Sequence, residues 1–544
     1  MRGTTLFFSC SYAPVTIAGL LLSATDLQRT FNVAGIVFLI FAVGTFLSSW
    51  LLKRALAIGP GVGLAAFYQQ LLLNSHPAKD VDPSQAGHDV LVAFFCASIV
   101  VGVLSIVGIG HGPSLRTRLV FAIPPQIKSG IKAGVGALLA ASALPLLKIT
   151  AYKHQACVPY EIRNRPVVFL FFISAFILLY FVLTAQRRDA LEKPATGGQW
   201  RRIPDSLRNV APLLLATIAV FVMLPTIDIA CYKTNSPFLD LLQPTKSLLN
   251  YLPALGIYSS DYTHIINILV IVIISAFIMI LDIPGSHYHF LGERTPKRMR
   301  ALEAGVLGSR PTTSGLVNDD VDSGEPQQPA TVARRSSKII QYLNVGFMLD
   351  WPLSLVSSVL CLSPSVFYAE NASLSGSDNR DAAAGLFCAC LFLVFGVLFL
   401  FLGLSGHLAI SVRLAFALRC AVAALLFTVG VRLVSQTFVP DDDELIDLRR
   451  KRAQTAFSRI ATAYYLPVAV LLATVPLPGV GFEVGLPLSL IVYLMARIPL
   501  AKEFPGKINP LTAVLIGFSF AVVVFEGLVY LLGQVDARRY IRNI

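Results

Sequence analysis

Blocks of about 20 apolar residues, the length that carries an α-helix across a hydrocarbon core, recur along the whole chain and constrain its fold more than any other feature. They fall near 4–24, 33–52, 56–73, 89–110, 129–148, 166–185, 209–226, 263–290, 342–362, 363–376, 384–405, 407–433, 460–477, 479–498 and 511–533. Only 14% of the 544 residues are charged and the mean hydropathy is +0.69, whereas soluble domains carry roughly 25% charged residues. A water-soluble globular enzyme is excluded. The pattern is that of an all-α polytopic membrane protein with about fourteen transmembrane helices and one surplus apolar block at the C-terminus.

The formal charge of +13 would suggest nucleic acid in a soluble protein. Here the basic residues sit in short runs beside apolar blocks, where they act as cytoplasmic retention signals, so no nucleic-acid partner is expected. Lys53-Arg54, Arg116 with Arg118, the cluster from Arg187 to Arg208, the cluster from Arg294 to Arg300, and Arg449 to Arg452 occupy alternate connections. Both termini are therefore expected in the cytoplasm, with the plasma membrane as the expected location. The loop 149–165, with Lys153, Arg163 and Arg165, runs against this alternation. The surplus block 511–533 either crosses the bilayer or lies along its surface. The first block reads as a retained helix, with signal-peptide cleavage as the alternative.

The blocks divide the chain into residues 1–226 (a first repeat of seven segments), 227–292 (an external loop and the eighth segment), 293–338, 339–433 (the ninth to twelfth segments), 434–459 (a cytoplasmic connector) and 460–544 (the last segments and the surplus helix). Residues 293–338 are rich in Ser, Pro, Gly, Asp and Gln without apolar period, which predicts a disordered cytoplasmic loop. Arg334-Arg335-Ser336-Ser337 there is either a basic-directed phosphorylation motif or simply a charged linker. The eight cysteines show no metal-ligand spacing. Cys157 and Cys231 both fall in predicted external loops, as a disulfide or as two free thiols. No nucleophile–base pair, metal cluster or phosphate-binding loop is present in the sequence, so neither an enzyme nor a cofactor is expected.

Chemistry in such a chain is carried by ionisable residues at membrane depth, because burying one in hydrocarbon costs several kcal/mol unless it faces a cavity or a partner. Four acids qualify: Asp282, which ends a long apolar run, Glu370, Asp350 and Glu483. Two apolar blocks are also broken. Gly59-Pro60-Gly61-Val62-Gly63-Leu64 interrupts the third and Ser363-Pro364-Ser365 the tenth, and proline and glycine both weaken a helix. Non-helical backbone at that depth is tolerated only when buried or lining a polar cavity. Third and tenth are equivalent positions in a chain of two seven-helix halves, and matched breaks of this kind point to a transporter's central site.

These residues resemble the azaguanine-type branch of the nucleobase permeases, in the xanthine/uracil permease superfamily. Arg2-Gly3-Thr4-Thr5-Leu6-Phe7 with Tyr12 resembles the first helix of that branch, and Ala57-Ile58-Gly59-Pro60-Gly61-Val62-Gly63-Leu64 with Ala66-Phe67 resembles the third. Ile123-Pro124, Ile127-Lys128 and Ala133-Gly134-Val135-Gly136 resemble the approach to the fifth. Leu281-Asp282 with Gly285 is similar to the eighth-helix acid motif, Asp350 to the ninth-helix Asp, and Tyr368-Ala369-Glu370-Asn371 to the tenth-helix acid motif. Ala65 stands where the branch usually has Asn, and Ile283-Pro284 where it has Thr and an aliphatic residue.

The resemblance implies a 7+7 inverted repeat, split into a core domain that holds substrate and a gate domain that dimerises, with half-helices and short extended segments in the third and tenth helices. It implies a purine nucleobase:proton symporter working by an elevator-like movement of core against gate. Asp282 and Glu370 would bind substrate and serve as the proton-coupling candidates. A carboxylate accepts two of the N–H groups that a purine displays in one plane, and burial favours its neutral, proton-carrying form. Phe67 and Tyr368 would offer aromatic faces or simply pack, and backbone near Gly63, Leu64, Ala65, Val366 and Phe367 would complete the site. Two other readings remain open: a carrier of the same fold for uracil, xanthine or a small anion, and a transport-inactive receptor or scaffold working through its long loop. Close helix packing is expected at the small-residue face Gly130, Gly134 and Ala137 of the fifth segment.

Overall fold

The computed structural model describes residues 2–21, 27–75, 83–108, 113–122, 125–147, 268–280, 329–368, 382–404, 466–475 and 481–497, with a few positions between 426 and 434. The first apolar block is two helices, α1 (Arg2–Cys10) and α2 (Tyr12–Leu21). The reason is Pro14, which has no N–H to donate and whose ring crowds the carbonyl of Cys10, four residues back. Helix α3 (Leu27–Leu51) ends just before Lys53, which takes a left-handed φ of 52°, the conformation that commonly terminates helices. Next come strand β1 (Ile58–Pro60), α4 (Val62–Ser75), α5 (Pro83–Ile106), α6 (Leu115–Ala122) and α7 (Pro125–Leu147). The later elements are α8 (Ile268–Ile280), α9 (Pro329–Val359), β2 (Ser365–Phe367), α10 (Ala382–Leu404), a helical stretch at 466–474, and α11 (Gly481–Arg497). Because α9 starts at Pro329, the predicted loop 293–338 is not disordered throughout: its last residues extend the ninth helix.

The exterior is apolar. Helix α10 is long enough to span a bilayer, yet only 28% of its apolar window is buried. Phe387, Leu393, Val394, Val397, Leu398 and Phe401 all lie exposed along it, and Val43, Phe46 and Trp50 do so on α3. A contiguous apolar flank of this size is not stable against water. It fits lipid, and the chain is an integral membrane protein.

The two halves of the chain are built alike and exchange partners. Each half presents a helix, a three-residue strand and a later helix: α3, β1 and α5 in the first, α9, β2 and α10 in the second. The helix before one strand packs against a later helix beyond the other, α3 on α10 and α9 on α5. The strands pair antiparallel with Ile58 opposite Phe367, Gly59 opposite Val366 and Pro60 opposite Ser365. This reciprocal exchange is the inverted repeat expected from the sequence. The full count of fourteen helices, with the segments at 166–185, 209–226 and 511–533, lies outside the described residues.

Close approach at the α3–α10 seam depends on glycine from both sides. A side chain at Gly35 would meet Leu400 (2.7 Å), and one at Gly396 would meet Leu39 (2.9 Å). Each glycine thus receives a leucine of the facing helix, the small-residue packing that membrane helices use where lipid offers no hydrophobic drive. Phe7, Phe38 and Phe41 each meet Phe392 of α10 in tilted ring contacts with centroids 5.0 to 6.2 Å apart.

Candidate substrate site

Both breaks foreseen in the sequence converge on one place. The Gly-Pro-Gly and Ser-Pro-Ser segments cannot continue a helix, so they extend and satisfy each other's backbone as β1 and β2. The ladder continues beyond the strands, with Gly61 N–H donating to Pro364 O (2.9 Å) and Tyr368 N–H to Ala57 O (3.3 Å). All six strand residues are buried. Gly59 lies against the ring of Phe41, where a Cβ would come within 2.6 Å of Cζ. At this position the absence of a side chain is a packing requirement.

Helix α4 opens directly from this ladder. The Gly61 carbonyl accepts from Ala65 N–H (3.0 Å), which makes Gly61 the N-cap residue. Ser, Thr or Asp there would turn a side-chain oxygen onto the second and third helical amides. Glycine has none, so among the described residues the first-turn amides of Val62, Gly63 and Leu64 have neither a carbonyl one turn back nor a capping side chain. They point the positive end of the helix dipole away from α4. Gly63 packs against Val135 of α7, 3.2 Å from where its Cβ would lie.

Of the residues singled out from the sequence, Gly63, Leu64, Ala65, Phe67, Val366, Phe367 and Tyr368 are all buried and lie on α4, on β2 or at its end. Tyr368 already has structural partners. Its hydroxyl donates to Pro60 O, and its ring lies 4.9 Å from that of Phe41 at 54°. Asp282, Glu370, Cys157 and Cys231 lie outside the described residues. Glu483 falls within α11. In sequence, Glu370 follows Tyr368 by two positions and Asp282 follows the end of α8 by two.

Asp350 is fully buried in α9 and paired to Arg116, whose Nη2 lies 2.8 Å from Oδ2. Arg116 is where the sequence reading and the structure part. Counted with Arg118 as a surface retention charge, it is instead wholly inside, while Arg118 is exposed. Its Nη2 also donates to Met279 O (3.2 Å), its Nη1 to Ser105 Oγ (3.3 Å), and the guanidinium carbon stands 4.4 Å from the Phe347 ring centroid. The only hint in the sequence is the matched lone acid at membrane depth, since an unpaired buried charge calls for a partner.

A polar stripe continues from Asp350 along α9. Ser354 Oγ donates to Asp350 O and reaches Ser365 O of β2 at 2.8 Å, Ser357 Oγ lies 2.7 Å from Ser365 Oγ, and Ser358 Oγ lies 3.2 Å from Ser98 Oγ of α5. One face of α9 thus fastens β2 and α5 together beside the ion pair.

No protein-family model matches the chain and no curated protein matches its sequence, so the resemblance to azaguanine-type permeases stays at the level of its motifs. Solved structures do match. The transmembrane domain of the bicarbonate transporter BicA from a cyanobacterium is 13% identical with a TM-score of 0.44, covering 92% of this chain and 97% of that one. SLC26A9 is 12% identical with a TM-score of 0.43, covering 90% and 65%. The murine anion transporter SLC26A9 in its inward-facing state is 11% identical with a TM-score of 0.41, covering 92% and 68%. The likeness is distant in sequence and in shape and assigns no substrate to this chain.

Proposed function

We propose that the chain is a secondary active carrier that moves a purine nucleobase together with a proton. The observation that carries this reading is the meeting of the two broken segments as a buried strand pair opening onto a helix N-terminus that no described side chain caps. Irregular backbone inside a membrane protein is tolerated where it lines a polar cavity, and paired breaks in the two halves are where carriers hold their cargo. The α4 amides are donors. A planar heterocycle offers acceptors to such amides and N–H donors to carboxylates, and Asp282 and Glu370 are the acids that flank the described elements in sequence.

The charge balance favours a neutral, donor-rich solute over an anion. The buried cation among the described residues, Arg116, is neutralised by Asp350, while Asp282 and Glu370 add acceptors and a place for the proton. Transport by an elevator-like shift of a core against a dimeric gate belongs to the same proposal.

The test is uptake of radiolabelled hypoxanthine, adenine, guanine, xanthine and uracil at two external pH values by cells lacking their own permeases. Asp282→Asn and Glu370→Gln variants are compared at matched surface levels. Acid-stimulated purine uptake lost in either variant supports the reading. No uptake of any base by protein present at the surface overturns it.

A further inference from the structure

We propose that Gln70 is a positioning residue that latches α4 to a second group of helices packed beside it, and so favours the present register of α4 over the shifted one that transport requires. This rests on the reading that the carrier works by moving one group of helices against the other.

Helices α7, 466–474 and α11 form that second group. Gly130 of α7 lies against Leu471 and Val468, Gly485 of α11 lies against Thr474, and Ser489 Oγ of α11 donates to Pro467 O (3.0 Å). Helix α4, which opens from the strand pair, meets this group along one face. Gly63 packs on Val135 of α7, and Gln70, two turns further along α4, donates from Nε2 to the carbonyl of Val475. Two turns of helix bring such residues back to the same face. Val475 N–H bonds Leu471 O (3.0 Å) at the end of its helix, where carbonyls need a donor from elsewhere. Pro476 and Pro478 follow in sequence and have no N–H to give. Gln70 brings that donor from the other group.

Gln70 and Val475 are both buried. A contact between glycine and valine can be exchanged for an equivalent apolar one when helices slide, whereas a hydrogen bond is directional. Breaking this one away from water leaves a donor and an acceptor unpaired. The bond is also one-sided. Gln70 Oε1 has no partner among the described residues, although buried polar groups are as a rule satisfied. A directional, half-used amide on a face of small and apolar contacts selects one position of α4 without fixing the two groups permanently.

The test sets two reactions of one chain against each other. Gly63→Cys/Val135→Cys places thiols at facing positions of α4 and α7. Copper–phenanthroline joins them while α4 holds its present register, and a membrane-permeant maleimide reaches the thiol at position 63 once α4 has moved off α7. Both rates are read by mass spectrometry with Gln70 intact and in the Gln70→Met and Gln70→Leu variants, each of which removes the donor. The two reactions report opposite sides of one equilibrium, so the ratio of joining to labelling follows the balance wherever it lies. That ratio is expected to fall about fivefold, the effect of one net hydrogen bond. Ser357→Ala, which loosens α9 on β2 away from this face, is expected to leave it unchanged.

A ratio within twofold of the Gln70 chain in both variants overturns the proposal. So does an equal fall in Ser357→Ala, or a Gln70 chain in which either reaction fails to occur. If the wild type takes up no purine, the carrier reading fails, while the ratio, which needs no transport, still decides the role of Gln70.

Discussion

The hydroxyl of Tyr368 donates to the carbonyl of Pro60, closing one end of the β1–β2 pair across 308 residues of sequence. A proline contributes no N–H to a ladder, but its carbonyl still needs a donor when buried. Tyr368 supplies that donor from the opposite half of the chain, and packing on Phe41 fixes the ring that carries it. Tyr368→Phe keeps the ring and orphans the carbonyl. It is expected to cost about 1–3 kcal/mol, seen as a lower detergent-solution Tm, and to weaken the proposed purine uptake severalfold. Unchanged Tm and uptake would remove Tyr368 from this role.

Gly59 faces the Phe41 ring at a distance no side chain can share. Gly59→Ala is expected to displace the ring and cost about 1–3 kcal/mol through overpacking, with reduced surface expression. Phe41→Leu in the same chain should restore part of the yield. The check is surface biotinylation of both variants beside wild type.

The 2.7 Å contact between Ser357 and Ser365 ties α9 to β2. Removing the Ser357 hydroxyl leaves Ser365 Oγ with a long 3.4 Å bond to Leu353 O, whereas Ser357 Oγ has its own 2.8 Å bond to that carbonyl. Ser357→Ala alone should therefore lower stability by about 1 kcal/mol, whereas Ser357→Ala/Ser365→Ala should cost less than two independent losses, because neither leaves a partner behind. A double-mutant cycle on thermal midpoints decides it, and strict additivity would show that the two hydroxyls are not coupled.

Gly130 of α7 fits against the 466–474 helix, where a Cβ would lie 2.8 Å from Leu471 Cδ1 and 3.4 Å from Val468 Cα. Gly130→Leu is expected to push these helices apart and reduce folded yield, while an exposed lipid-facing change such as Val394→Leu is tolerated. Size-exclusion profiles of the two purified variants test the contrast.

The broken helices were legible because glycine and proline act locally: Gly59-Pro60-Gly61 and Ser363-Pro364 forbid regular helix whatever surrounds them, and both strands fall there. Helix boundaries such as Ala382–Leu404 followed hydropathy to within a few residues. The small-residue face of α7 was also readable, with Gly130 the position in close contact. The split at Ser11 was not anticipated, although Pro14 is its cause. Arg116 was hidden for a different reason. Two residues away from exposed Arg118, it has the same local context, and only the approach of α8 and α9 from more than 160 positions later makes it interior. Pairing across the repeat is a property of the assembled chain, and no window of sequence contains it.

The strand pair has a mechanical consequence. Backbone hydrogen bonds and a tyrosine clasp join the first half of the chain to the second at the strand pair, and the α3–α10 and α9–α5 contacts interlock the halves further. Opening the protein like a clamshell along the boundary between its halves would break all of these at once in a place without water to replace them. In the carrier proposed above, a step that exposes the strand pair to one side of the membrane and then to the other would therefore carry both broken segments together, as a single cartridge.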